Sequence, residues 1–213
     1  LTSGQGGDNE KLAYRVMKRG AELEEALAGG AELADLGLRF DLTVPLTRYY
    51  ATNRAQLPTV FKAIQTGPVW RAERPQKGRY RQFIQCDIDI IGDATPLAEI
   101  ELLSASLNVL NVLGLTDAVI RVNHRELLVK LLNDLGVAEK DHGSAMITID
   151  KLDKIELAGV VAELTERQGE AVAKAFEAWF LDVDTTVVPA ELANIFELVE
   201  PGRLRYDPTL VRG

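Results

Sequence analysis

The sequence predicts an α+β fold in which an antiparallel sheet is flanked by helices and interrupted by a mainly helical inserted domain. A run from Val60 to Gly92 reads as two apolar–polar alternating arms around a polar connector, as in a long β-hairpin. Residues 95–114 repeat apolar side chains at helical spacing. Later residues are acidic and again helical in spacing. We therefore divide the chain into a first unit, 1–124, an inserted helical domain, 125–202, and a return to the first unit, 203–213.

Composition excludes several classes of protein. The chain has 213 residues, 46% of them hydrophobic, which is enough for a real core. No apolar run approaches the roughly 20 residues that span a bilayer, and no secretory signal is present, which excludes membrane and secretory classes. Cys86 is the single cysteine, which fits a reducing cytoplasm, and the two histidines lack partners at metal-ligand spacing. Because the chain begins with Leu1, we expect it to be part of a longer protein.

The residues before the hairpin predict short elements. Residues 9–35 are rich in Ala, Glu, Leu and Lys, which favours short helices. Leu38–Val44 alternates roughly between apolar and polar residues and stops at Pro45, so we predict a strand there. A helix is expected to follow through Arg48 and Tyr49.

The hairpin has an apolar and a polar face. Its first arm, 61–73, is predicted to be interrupted at Gly67 and Pro68. On the second arm, side chains alternate between the faces. One face is apolar and holds Ile84, Cys86, Ile88 and Ile90. The other is polar and holds Arg81, Phe83, Gln85, Asp87 and Asp89. We expect the apolar face, with Cys86, to lie in the core and the polar face to form the floor of a binding cleft, although an exposed outer face has the same pattern.

The second half of the chain is mostly helical by its spacing. A helix is predicted from Thr95 and Pro96 to Gly114, followed by a strand, 118–122, with antiparallel pairing. Residues 124–200 hold seven basic and sixteen acidic residues, a net charge of −9. Within them, 146–149 is a candidate short strand. The chain is expected to rejoin the first unit near Arg203.

Charge is concentrated in the connector of the hairpin. The whole chain carries −8, yet residues 71–81 carry five basic residues and one acidic residue, a local charge of +4. A basic loop on an acidic protein indicates a focused phosphate site. The alternative is a solvated hairpin tip. Neither a P-loop nor a Gly-x-Ser-x-Gly motif is present, and Cys86 lies on the apolar face, so nucleophilic catalysis has no candidate.

A set of charged and polar residues remains around the hairpin. Its members are Arg71, Glu73, Arg79, Gln85, Asp89, Asp41 and Arg212. Arginine presents a planar fork of donors that suits phosphate oxygens, while carboxylates suit an ammonium or imidazole group. Together they would hold a nucleotide beside a cationic small molecule. Taken singly, each residue could equally be a member of a surface ion pair.

The same segments resemble a known family. VWRAERPQKGRYRQFIQCDIDIIG (69–92) is similar to motif 2 of class II aminoacyl-tRNA synthetases, in particular of the histidyl-tRNA synthetase family. Four further segments resemble that family in the same order. They are LRFDLTVPLTRYYA (38–51), RVNHRELL (121–128), TIDKLDKI (148–155) and RYDPTLVRG (205–213).

The resemblance implies a role for each site residue. Arg71 would hold the α-phosphate of ATP, Glu73 the adenine side, and Arg79 the outer phosphates. Histidine would be bound by Asp41, Thr43 and Gln85 at its ammonium group and by Asp89 at its imidazole. Arg212 would stabilise the charge that develops as the histidine carboxylate attacks the α-phosphate.

The resemblance also implies substrates and partners. We expect a cytoplasmic homodimer with a six-stranded class II sheet that binds histidine, ATP with Mg²⁺ on its phosphates, and tRNA(His). Motif 1, motif 3 and the anticodon-binding domain have no counterpart in this chain, so we expect little activity from it alone. The alternative is a catalytically inactive regulatory subunit of ATP phosphoribosyltransferase. The presence of Arg71, Arg79 and Arg212 with Gln85 and Asp89 favours the ligase.

Overall fold

The computed structural model describes residues 12–211, and these divide between two compact units, Leu1–Asp93 and Ala94–Gly213. Both units mix helices and strands, which confirms the α+β class predicted from the sequence. The predicted boundaries at 125 and 203 do not coincide with this division and stay a prediction.

The first unit begins with a small two-stranded sheet. Strand β1 (Arg15–Met17) pairs antiparallel with β2 (Ala34–Gly37), and helix α1 (Ala21–Gly29) connects them. Gly30 ends α1 with a left-handed φ of 67°, which glycine adopts without a steric penalty. The prediction of short helices over 9–35 is therefore right for α1 and misses the flanking strands, and residues 9–11 lie outside the described range.

The strand predicted over 38–44 is wrong. The strand ends earlier, at Gly37, and residues 38–42 form an irregular segment that leads into helix α2 (Thr43–Asn53). Pro45 is the third residue of that helix. Proline is tolerated in the first turn of a helix because the backbone N–H groups there have no intrahelical acceptor. The predicted helix through Arg48 and Tyr49 is confirmed.

The long hairpin is confirmed. Strand β3 (Phe61–Trp70) pairs antiparallel with β4 (Gln82–Ile91) in one continuous register. The predicted interruption at Gly67 and Pro68 is absent, because both residues pair, with Gln85 and Ile84 respectively. Each strand of a two-stranded ladder has an open edge, where proline is tolerated.

The expectation that the apolar face of the hairpin forms core is wrong for its middle part. Ile84 is 65% exposed, Ile64, which pairs with Ile88, is 77% exposed, and Cys86 is exposed. The segment 38–42 instead contacts the polar face, where Gln85 and Asp89 are half-buried. Alternation identifies two faces of a strand but not which of them other elements cover.

The second unit opens with helix α3 (Pro96–Val112), which confirms the predicted helix. Thr95 Oγ1 accepts a hydrogen bond from Leu97 N at 3.4 Å and so caps its first turn. Strand β5 (Ile120–Val122) follows and pairs with β6 (Leu204–Tyr206) in parallel. The predicted antiparallel pairing of this strand is therefore wrong, since its partner comes after the intervening helices rather than after a tight turn.

Residues 125–202 hold five α-helices, in agreement with the helical character predicted for them. They are α4 (Arg125–Asp134), α5 (His142–Ile149), α6 (Leu152–Gln168), α7 (Glu170–Asp182) and α8 (Ala190–Leu198). The short strand predicted over 146–149 is wrong, because these residues form the end of α5. Ala145 and Ile149, one helical turn apart, are both buried, so tertiary packing overrides the local β-preference.

Two apolar clusters form the core of this unit. The first surrounds Phe176, which is fully buried and packs against Trp179 and Phe180. The second joins α3 to α8 through Leu107 and Leu192. Across the described residues, none of the helices is both long and apolar enough to cross a membrane.

Candidate active site

The predicted site residues of the first unit lie in three places: on the polar face of β4, in the connector between β3 and β4, and where the segment 38–42 enters α2. That segment is fixed to β3 at two points. Trp70 N donates to Arg39 O at 2.9 Å, and Gln65 Nε2 donates to Leu42 O at 3.2 Å. These bonds place residues 40 and 41 between two anchors, which orders a stretch of chain that has no regular secondary structure.

Arg71 directly follows β3 and is bound to the segment and to β4. Its Nε donates to Phe40 O at 3.3 Å, and its Nη2 donates to Gln85 Oε1 at 3.4 Å. Its guanidinium carbon Cζ lies 4.6 Å from the ring centroid of Phe40 and 5.2 Å from that of Phe83. Among the described residues these hydrogen bonds use Nε and Nη2 alone, so Nη1 keeps its N–H donors for a ligand.

The side-chain amide of Gln85 is held in one orientation. Its Nε2 donates to both carboxylate oxygens of Asp87, at 2.9 Å each, while its Oε1 accepts from Arg71. The amide oxygen can accept one more hydrogen bond. Gln85 therefore presents an acceptor suited to an ammonium group beside Arg71.

Asp89 carries an unsatisfied acceptor. Its Oδ2 is buried and accepts no hydrogen bond within the described residues. Burial raises the pKa of the Asp89 carboxyl, the neighbouring Asp87 carboxylate raises it further, and a hydrogen bond from Gln65 opposes both. A buried carboxylate oxygen without a partner is costly in the free protein and is satisfied when a ligand donates to it.

Asp41 and Thr43 lie where the segment enters α2. Asp41 Oδ1 accepts from Thr43 N at 3.0 Å, which fixes the carboxylate at the start of the helix. Gln65 connects this region to the hairpin, because it bonds both Leu42 O and the Asp89 carboxylate. Arg71 thus contacts Gln85 directly, while Asp41 and Thr43 are joined to the hairpin through the main chain of the segment, whose carbonyls at Phe40 and Leu42 accept from Arg71 and Gln65.

Glu73 and Arg79 face each other in the connector. Arg79 Nη1 lies 3.0 Å from Glu73 Oε2, and the Glu73 side chain is 19% exposed against 59% for Arg79. Glu73 Oε2 accepts no hydrogen bond within the described residues, so the contact is an ion pair without hydrogen-bond geometry. The two residues predicted to hold opposite ends of a nucleotide therefore neutralise each other in the free protein.

Arg212 lies outside the described residues. The loop before it is well held: Asn123 Nδ2 donates to Pro208 O at 3.2 Å and to Leu210 O at 3.1 Å. Asp207 Oδ1 accepts from Thr209 N at 2.9 Å and from Thr209 Oγ1 at 2.7 Å. Side-chain hydrogen bonds thus hold the main chain at Pro208, Thr209 and Leu210.

The sequence prediction missed three residues that support this site. Phe40 contacts Arg71 with its ring and its carbonyl, Asp87 holds the amide of Gln85, and Gln65 bonds Asp89. Period-two alternation already placed Asp87 on the polar face, and Gln65 could have been found from its position on the opposite arm. Phe40 gave no such signal, because it lies in an irregular segment.

The second unit contains a cavity of about 120 Å³ that none of the predicted site residues within 12–211 lines. Its arginine, Arg121, is already paired with Asp153 at 2.7 Å and with Asp207 at 3.0 Å. Its charge is therefore compensated within the protein.

Over residues 12–211, three or more His, Cys, Asp or Glu side chains are nowhere grouped so as to hold a metal ion.

The chain matches the family model described as histidyl-tRNA synthetase over residues 30–209. It is 49% identical to the histidine–tRNA ligase of Leifsonia xyli subsp. xyli, covering 100% of this chain and 57% of the relative. It is 52% identical to the probable histidine–tRNA ligase of Tropheryma whipplei, covering 78% of this chain and 39% of the relative. The chain belongs to the histidyl-tRNA synthetase family. It spans about half the length of these curated relatives.

Solved structures show the same architecture. A histidyl-tRNA synthetase from Nostoc sp. PCC 7120 aligns with a TM-score of 0.67 and 26% identity, over 83% of this chain and 46% of that one. A protein from Bacillus halodurans C, described as an ATP phosphoribosyltransferase regulatory subunit/histidyl-tRNA synthetase, aligns with a TM-score of 0.69 over 95% of this chain and 54% of that one. At 17% identity the second likeness concerns the fold alone. The regulatory-subunit alternative is not favoured, because the curated relatives named above are ligases.

Proposed function

We propose that this chain forms part of a histidine–tRNA ligase, which joins histidine to ATP as histidyl-adenylate and then transfers the histidyl group to tRNA(His). The observation that carries the proposal is the hydrogen bond between Arg71 and Gln85 on the polar face of β4, which also holds Asp89, in a protein of this family. This face offers free N–H donors for phosphate beside acceptors for a cationic amino acid.

The proposed histidine site uses the acceptors. Asp41, Thr43 and Gln85 bind the ammonium group, and the unsatisfied Oδ2 of Asp89 accepts a hydrogen bond from the imidazole. The neighbouring Asp87 carboxylate adds negative charge and holds Gln85 in the required orientation. Such a site favours a small molecule with two nitrogen-bearing groups over an apolar amino acid.

The proposed ATP site uses the arginines. Arg71 binds the α-phosphate through Nη1, Glu73 lies on the adenine side, and Arg79 exchanges its ion pair with Glu73 for the outer phosphates. Mg²⁺ enters bound to those phosphates as part of the substrate and neutralises part of their charge. The histidine carboxylate attacks the α-phosphorus, the bond to pyrophosphate breaks, and Arg212 with Arg71 stabilises the added negative charge.

We further propose that the complete protein has a class II catalytic sheet and acts as a cytoplasmic homodimer. Transfer follows when a terminal hydroxyl of tRNA(His) attacks the activated carbonyl and AMP leaves. The inserted domain, with its net charge of −9 over 124–200, offers no electrostatic reason to bind the tRNA backbone.

The test is ATP–pyrophosphate exchange by a full-length protein that carries this chain. We expect exchange with histidine and none above background with each of the other standard amino acids. Exchange without histidine, or with another amino acid in its place, would contradict the proposal. Addition of tRNA(His) transcripts should then give histidyl-tRNA, whereas stimulation of an ATP phosphoribosyltransferase in the absence of exchange would favour the regulatory alternative.

A further inference from the structure

We propose that Phe40 is a positioning residue for Arg71, acting through the face of its ring. This inference rests on the proposed function for its kinetic test but not for its structural basis. The guanidinium carbon of Arg71 lies 4.6 Å from the Phe40 ring centroid, within the range of a cation–π contact. The carbonyl of the same residue accepts from Arg71 Nε at 3.3 Å.

The main chain that carries Phe40 is anchored on both sides of this residue. Arg39, the preceding residue, donates to Pro68 O from Nη2 at 2.8 Å and from Nε at 3.1 Å. Leu42, two residues later, accepts from Gln65. Phe40 is therefore tied to β3 on either side, and Arg71 lies one residue beyond the end of that strand. These bonds fix the main chain on both sides of Phe40 and so hold its Cα at a constant place beside the arginine.

Stacking suits the chemistry that Arg71 is proposed to perform. A guanidinium is planar, and the N–H groups that bind phosphate point outward in that plane. An aromatic ring contacts the flat face of the guanidinium and leaves those N–H groups unobstructed. Phe40 can thus restrict the side chain while Nη1 stays available. A carboxylate in the same place would restrict it equally well but would compete with the phosphate for the donors. Such competition is seen in the connector, where the Glu73 carboxylate is paired with the Arg79 guanidinium.

Phe83 makes a longer contact with the same guanidinium, at 5.2 Å, but its main chain belongs to β4 and accepts nothing from Arg71 in the described structure. Phe40 alone combines a ring contact with a hydrogen bond. We therefore assign the positioning role to Phe40.

The experiment compares Phe40→Leu, Phe40→Met and Phe40→Tyr in a full-length protein that carries this chain. Leucine and methionine keep the main-chain carbonyl and apolar bulk but remove the ring, so kcat/KM for ATP in histidine-dependent exchange should fall about tenfold. Phe40→Tyr keeps the ring and should stay within about threefold of the wild type. Histidine affinity, measured by calorimetry, should change less than twofold in all three variants.

Phe61→Leu is the matched control, since Phe61 is also half-buried and its ring contacts Tyr49 and Tyr50 rather than Arg71. It should leave kcat/KM for ATP unchanged. A double variant separates positioning from general packing. In an Arg71→Gln background, Phe40→Leu should add less than a twofold further loss, because the cation that contacts the ring is gone.

Three results would overturn the inference. The first is an unchanged kcat/KM for ATP in Phe40→Leu. The second is that Phe40→Leu lowers kcat/KM by the same factor whether or not Arg71 is present. The third is that Phe61→Leu lowers kcat/KM as much as Phe40→Leu does. Equilibrium ATP binding, measured without histidine, should weaken in Phe40→Leu and Phe40→Met and not in Phe40→Tyr. That measurement still decides the role of Phe40 if the wild type shows no histidine-dependent exchange, a result that would count against the proposed function alone.

Discussion

At the scale of single residues, one side chain on the polar face of β4 lowers the stability of the free protein when it is ionised. Asp89 keeps a buried oxygen without a hydrogen-bond partner, and its pKa is raised by burial and by Asp87. A raised pKa means that ionisation is less favourable in the folded than in the unfolded chain. The contribution of Asp89 to stability is therefore greatest at low pH and declines as the pH rises through the raised pKa.

This predicts opposite effects of Asp89→Asn on binding and on folding. The variant should bind histidine at least tenfold more weakly, because the amide cannot replace the charge of the carboxylate toward the imidazole. Without ligands its melting temperature at pH 7 should be higher than that of the wild type. The difference should shrink as the pH falls toward 3.8, the ordinary value for the carboxyl.

Calorimetric titration and thermal melting across this pH range test the prediction. Asp35→Asn is the matched control, since Asp35 is an exposed aspartate on β2 outside the site, and it should change neither histidine affinity nor the pH dependence of melting. Unchanged histidine affinity in Asp89→Asn would show that the imidazole is recognised elsewhere. A lower melting temperature would show that the hydrogen bond from Gln65 outweighs the burial of the carboxylate and the charge of Asp87.

Period-two alternation predicted which residues share the polar face of β4, as the observed strand has them, but not which residues support that face. Gln85 and Asp89 follow from alternation along β4, and Arg71 from the basic connector. Phe40 could not be found in this way, because its ring meets Arg71 only after an irregular segment folds back along β3. Cys86 was assigned to the core for a similar reason: a strand pattern does not say which face is covered, and in the structure Cys86 is exposed.

At the scale of elements, local signals decided which predictions succeeded. The hairpin and α3 have long, regular patterns with clear ends, and both were predicted well. The pairing of β5 was predicted wrongly because its partner, β6, lies more than 80 residues later, beyond five helices. No local pattern distinguishes a parallel from an antiparallel partner at that separation.

Arg203 holds the start of β6 in place. It is 8% exposed, and its Nε donates to Ala118 O at 2.7 Å. Its Nη1 donates to Asn111 Oδ1 at 2.9 Å and to Glu200 Oε1 at 3.2 Å. One buried guanidinium thus joins the end of α3, the approach to β5 and the residues after α8. Its removal leaves the carbonyl of Ala118 and the amide oxygen of Asn111, both on half-buried residues, without their donor.

We predict that Arg203→Ala lowers the free energy of unfolding by about 3 kcal/mol. Arg205→Ala removes the same charge from an exposed position of the same strand and should change it by less than about 0.5 kcal/mol. Urea denaturation followed by circular dichroism compares the two variants. Equal effects would show that charge, rather than the buried hydrogen bonds of Arg203, stabilises this strand.

At the scale of the whole molecule, charge is distributed unevenly. The chain carries −8 in total, the connector over residues 71–81 carries +4, and residues 124–200 carry −9. An acidic protein with one basic loop binds phosphates at that loop and repels polyanions elsewhere. This distribution supports the proposal of a small phosphorylated ligand at the hairpin.

The final prediction concerns Arg212, whose proposed role is stabilisation of the transition state. Because the charge on the α-phosphate increases only as the histidine carboxylate attacks, Arg212→Ala should slow adenylate formation by roughly 10²-fold while histidine affinity changes little. Single-turnover measurement of adenylate formation in a full-length protein that carries this chain, with calorimetric titration of histidine, tests both parts. Arg205→Ala is the control and should form adenylate at the rate of the wild type. A normal rate in Arg212→Ala would remove this residue from the mechanism, and a parallel loss of histidine affinity would assign it to substrate binding instead.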